Sequence, residues 1–187
     1  MDNYPVFSAG DYIFNPYDQL YAAFHSKTLM SYKADLDKWI RFACSSDKVW
    51  SGKPDVLVAL FKDVCIITEC CWAVHVQGPN YPENWDHTIA GYTRKRAKEP
   101  GADYKYKLPE LMVAHPENYL KDFFNNHTVN DIFDVLFECL YTAFGHEEPY
   151  PYSFDEITNV AGECTCLLEA AYLIQKKKYP GRDGREK

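Results

Sequence analysis

Residues 65–75 read CIITECCWAVH, and its three cysteines, glutamate and histidine are all metal-ligand types. Structural zinc takes paired ligands of the C-x2-C kind together with a second pair. On a helix, Cys65 and Cys70 diverge by about 140°, and the adjacent Cys70 and Cys71 also point apart. Only Cys71 and His75, four residues apart, share a face and could ligate one ion. They supply two ligands, and no obvious Cys/His pair elsewhere completes the set. The two cysteines of CTC at 164–166 do not face each other on a helix. The cysteines are therefore expected to act as small hydrophobes in a core. Cys71 with His75 is the one metal candidate, and no cofactor is expected. Glu69 has a plain reading too: with Asp55 and Lys62 it falls at seven-residue intervals, which puts all three on one wet stripe.

Carboxylates offer the next chemistry. A di-iron helical bundle requires Glu-x-x-His on two helices, and the sequence contains no Glu-x-x-His. Asp131, Asp134 and Glu138 fall at 0, 3 and 7 and form an acidic stripe along one helix. Such a stripe is a solvated face, a surface for a basic partner, or a Mg²⁺ site for a phosphate-bearing substrate. PENWDH at 82–87 gathers Glu83, Asp86 and His87 in a loop, where a histidine beside carboxylates is an acid–base pair or surface decoration. G-x-S-x-G is absent, as are G-x-G-x-x-G and G-x4-G-K-[ST], so neither a nucleophile elbow nor a phosphate-cradling loop is visible.

The basic residues are segregated. Net charge is −7, yet 92–107 (YTRKRAKEPGADYKYK) and 176–187 (KKKYPGRDGREK) each carry +4, which leaves −15 on the rest. In the first segment Arg94, Lys95, Arg96 and Lys98 lie among Tyr92, Tyr104 and Tyr106. Phosphate-neutralising charge mixed with stacking surfaces is what single-stranded nucleic-acid sites use. Against that reading, the acidic remainder repels a polyanion.

These residues need elements to hold them. Asn15-Pro16 is a helix start, and apolar residues at Leu20, Phe24, Tyr32, Leu36, Trp39/Ile40 and Ala43 predict one helix over 16–44, with an interruption point near 26–31. Residues 54–77 form a nearly all-apolar helix, which suits the centre of a bundle. Residues 108–126 read as one or two short helical pieces, with Pro116 starting the second. Thr128–Asp131 is a weak capping box ahead of Val129, Ile132, Phe133, Leu136, Phe137, Leu140 and Phe144, closed by Gly145. Ser153–Glu156 is a clear one, opening a helix over 154–178. GADYKYKL, 101–108, alternates briefly and reads as a small hairpin arm.

The expectation is one all-α domain over 1–187: a helical bundle of four long helices (16–44, 54–77, 128–145, 154–178) plus short ones. Residues 1–14 read as irregular, 78–108 as a loop-rich connection, and 179–187 as a flexible basic tail. Apolar content of 47% and charged content of 25% are those of a globular chain. The start, MDNYPVFSAGDY, reads as lacking a secretory leader. No run reaches membrane-span length free of charge, and seven cysteines without framework spacing suit a reducing, cytoplasmic compartment.

No catalytic constellation stands out, so the expected function is non-enzymatic: a small acidic helical protein that binds another protein, in a regulatory or inhibitory role, through the stripe Asp131, Asp134 and Glu138. Tyr/Trp-rich connectors match the composition of interface cores. The first alternative is nucleic-acid binding through 92–107 and the lysine-rich C-terminus. The second is a metal- or nucleotide-dependent helical enzyme.

Overall fold

A computed structural model of the chain describes residues 15–45, 50, 52–78, 100, 104–145 and 152–179. Among the described residues the architecture is all-α. The elements are α1 (Pro16–Ser26), α2 (Leu29–Ala43), α3 (Pro54–Gln77), α4 (Glu110–Ala114), α5 (Pro116–Asn126), α6 (Val129–Ala143) and α7 (Phe154–Lys178).

Capping chemistry sets most of the helix starts. Asn15 Oδ1 accepts from Tyr17 N at 3.0 Å and opens α1. The single helix expected over 16–44 is two helices. Backbone at Lys27 and Thr28 is extended, and Thr28 Oγ1 accepts from Ser31 N at 2.9 Å. A threonine cap stabilises a helix start by about 1 kcal/mol, which favours a fresh start here. The break lets Leu20 and Phe24 of α1 and Leu29, Tyr32, Leu36 and Trp39 of α2 all reach the core. Both expected capping boxes form reciprocally. Thr128 N donates to Asp131 Oδ2 at 2.8 Å, and Ser153 N donates to Glu156 Oε2 at 2.6 Å.

The helix α7 packs on all six others, and α3 packs on α1, α2, α5, α6 and α7. Trp39 of α2 is fully buried, meets Phe61 of α3 edge-on and donates its indole N–H to Cys139 O of α6 at 3.2 Å. Tyr32 is fully buried too and donates to Asp63 Oδ2 at 3.2 Å. Phe24 meets both Tyr32 and Tyr172 edge-on. Cys65, Cys70, Cys71, Cys139 and Cys164 are buried among these side chains. Burial, helped by the Glu69 charge, pushes the Cys65 thiol up to about 12; burial raises Cys70, Cys71 and Cys164 as well. They are protonated, apolar fillers at neutral pH.

Two local expectations change. Asp55 and Lys62 are exposed, but Glu69 is only 6% exposed. At 24 residues, α3 is long enough for its first turns to lie at the rim while its middle lies beneath neighbouring helices. Of the expected hairpin arm, residues 101–103 lie outside the described residues, and residues 104–108 form no strand and are used differently, as shown below. The segment 1–14, the PENWDH loop, Tyr92–Lys98 and residues 180–187 lie outside the described residues.

Candidate interaction face and a buried carboxylate clasp

The helix α6 divides into three sectors. At about 100° per residue, Val129, Ile132, Val135, Leu136, Cys139, Leu140 and Ala143 share one arc, and all are buried. Beside it runs an aromatic row, Phe137, Tyr141 and Phe144, which leaves 51%, 39% and 40% of each residue exposed. Beyond that row lies the acidic stripe. Phe137 and Phe144 belong to the apolar run that follows the Thr128 cap. The buried arc is already filled by smaller side chains, so the aromatics fall outside it. The row is ordered by its own contacts: Phe137 stacks on Tyr141 at 6.2 Å and meets Phe61 of α3 edge-on at 6.3 Å.

The three stripe residues are not equivalent. Asp131 is committed to the Thr128 cap. Asp134 and Glu138 carry no hydrogen bond or ion pair among the described residues. Their charge reaches Tyr152, just ahead of α7. The Tyr152 phenol is held above its ordinary value by burial first, then by Asp134, Glu138, Asp131 and Glu156. Asp134 and Glu138 are therefore uncommitted carboxylates on the same helix as the exposed aromatic row.

A second constellation lies inside the bundle. Glu169 of α7 has no exposed surface, and its two oxygens are fully used. Oε1 accepts from the Lys33 ammonium and from the Tyr104 hydroxyl at 2.9 Å. Oε2 accepts from the backbone N–H of Lys107 at 2.7 Å and of Leu108 at 2.9 Å. Lys33 also donates to the Tyr104 hydroxyl. Burial alone would lower the Lys33 pKa, but its bonds to Glu169 and Tyr104 outweigh that and hold it above the ordinary value. The clasp ties α2, α7 and residues 104–108 together. With both oxygens occupied, Glu169 is a structural anchor.

The remaining sequence candidates are distributed. Tyr104 is engaged in the clasp, and Tyr106 packs edge-on against it at 4.8 Å. Arg94, Lys95, Arg96 and Lys98, with Tyr92, fall outside the described residues. Cys71 is fully buried, whereas His75 is half-buried against Phe124 at 5.5 Å. Among the described residues no group of three His, Cys, Asp or Glu side chains is placed to hold a metal ion. Sequence reasoning missed the aromatic row and Glu169. The signal for the first was an apolar arc too wide for one buried face of α6. The signal for the second was a carboxylate flanked by Leu167, Leu168, Ala170 and Ala171. No family model, no curated protein and no solved structure matches the chain.

Proposed function

We propose that this protein acts by binding another protein through the outer face of α6. The observation that carries this reading is the row Phe137, Tyr141 and Phe144, exposed alongside the uncommitted carboxylates of Asp134 and Glu138. Exposed aromatics supply contact area at low entropic cost and are enriched at binding hot spots. Adjacent acidic residues speed association with a basic partner and reject acidic ones. The partner is therefore a protein with a basic rim around apolar anchors, and the role is regulatory: occupying that basic surface withholds it from other ligands.

The test is site-specific photocrosslinking from position 137, with position 121 on α5 as an exposed control. The expected result is one set of adducts from 137 only, mapping to a basic surface, weakened by salt and lost in Asp134→Lys/Glu138→Lys. Equal adducts from both positions, or adducts indifferent to the charge reversal, would reject the reading. Nucleic-acid binding is the competing reading. Its tyrosines at 104 and 106 are committed to the clasp and its neighbourhood, which supports it less. Salt-sensitive capture of single-stranded RNA or DNA, abolished by neutralising Arg94, Lys95 and Arg96, would reverse the ranking.

A further inference from the structure

A groove of about 470 Å³ lies between α2 and α7, within the range of small-molecule sites. Leu36, Ile40 and Ala161 give it an apolar lining, and Phe154, 63% exposed, stands at its edge. Three charges reach it. Asp37 and Arg41 pair with each other at 2.9 Å. The third is the Lys107 ammonium, which has no carboxylate within salt-bridge distance among the described residues. The lining therefore carries one uncompensated positive charge.

The fold places that charge. The backbone N–H groups of Lys107 and Leu108 are fixed on Glu169, so the Lys107 side chain departs from an anchored point. It lies over Gly162 of α7; a Cβ built there would sit 3.6 Å from Lys107 Nζ. The ammonium thus rests at the border of the α2/α7 groove and a second groove against α5. In that second groove Glu163 and Asp122 supply negative charge, and His127 pairs with Glu163 at 2.8 Å. The α2/α7 side is the one that combines an apolar lining with a single free cation.

We propose that the α2/α7 groove binds a small apolar molecule bearing one carboxylate, with the Lys107 ammonium receiving the carboxylate and Ile40, Ala161 and Phe154 receiving the apolar body. This site uses none of the α6 face residues. Methionine at 107 retains the stem and the backbone N–H that Glu169 needs, so Lys107→Met removes only the charge.

The experiment is a titration of the full chain with sodium octanoate, followed by amide NMR shifts up to about 10 mM, which covers Kd values at and below the millimolar range. Lys107→Met, the control Lys105→Met and the neutral probe 1-octanol are run in parallel. The expected shifts fall on residues 36–44, 107 and 154–165. Lys107→Met should weaken octanoate binding at least about tenfold, the worth of a charge-assisted bond, and Lys105→Met should not. Octanol should bind at least about tenfold more weakly than octanoate. Absence of shifts in these segments, or Lys107→Met affinity within about twofold of native, overturns the proposal. Equal affinity for octanol and octanoate overturns the assignment of Lys107 as carboxylate receptor.

Discussion

Lys33 of α2 and Glu169 of α7 stand 136 residues apart and form an ion pair whose carboxylate is fully buried. Removing one partner of such a pair leaves an uncompensated buried charge or orphaned donors. Glu169→Ala should therefore cost about 3–5 kcal/mol, seen as a lower urea midpoint. A loss below about 1 kcal/mol would show that the donors find water instead.

Alkaline pH should destabilise the fold early. Folded-state values of Cys65, Cys70, Cys71 and Cys164 lie above the ordinary thiol value of 9.0. Tyr32 and Tyr119 lie above 10.0 and Lys33 above 10.5. Each group holds its proton longer folded than unfolded. Its contribution is complete below the unfolded value and is lost as pH rises towards the folded one. Stability measured by urea should be flat near neutrality and fall steadily from about pH 9. Cys65→Ala/Cys164→Ala should reduce that slope. A flat profile to about pH 11 would contradict the burial of these thiols.

Two glycines should respond with opposite signs. Gly162 lies inside α7, and a Cβ there meets only Lys107 Nζ at ordinary contact distance. Gly162→Ala should raise stability by up to about 1 kcal/mol. Gly78 ends α3 at φ 67, where an L side chain is strained, so Gly78→Ala should lower it by about 1 kcal/mol. Thermal melts of the two variants check both signs.

The α6 face should separate binding from folding. Asp134→Lys/Glu138→Lys changes carboxylates without bonds and should leave stability within about 0.5 kcal/mol. Phe137→Ser loses the Phe61 and Tyr141 contacts and should cost about 1 kcal/mol. Both should abolish partner binding. A variant that binds normally and melts normally would remove the face from consideration.

Helix starts were the most legible part of the sequence, because each has a local chemical signature. Asn15-Pro16, Thr128–Asp131 and Ser153–Glu156 all cap as their residue types require. The break at Thr28 was marked only as an interruption point, since a threonine inside a periodic run competes with helix continuation on nearly equal terms. Glu69 and Glu169 were not placed by pattern. Whether a helical glutamate is wet or buried depends on which helix lies over it. For Glu169 the deciding groups are a lysine on α2 and two amides at 107–108. Alternation in DYKYKL has a non-strand cause: Tyr104 and the backbone at 107–108 turn inward to Glu169. The acidic stripe could be found by counting. Its aromatic neighbours could not be told from core residues until the smaller side chains had filled the inward arc.

The contacts of α7 with all six preceding helices of the described residues bear on how this chain is made. A ribosome releases α7 after all of them, so α1–α6 emerge without the helix they share and without the carboxylate that fastens residues 104–108. Domains commonly fold as units during synthesis, and here α1–α6 lack the helix they share until residues near 178 have left the exit tunnel. Nascent chains stalled before residue 154 should remain protease-sensitive and dependent on chaperones, and compaction should come as one late event.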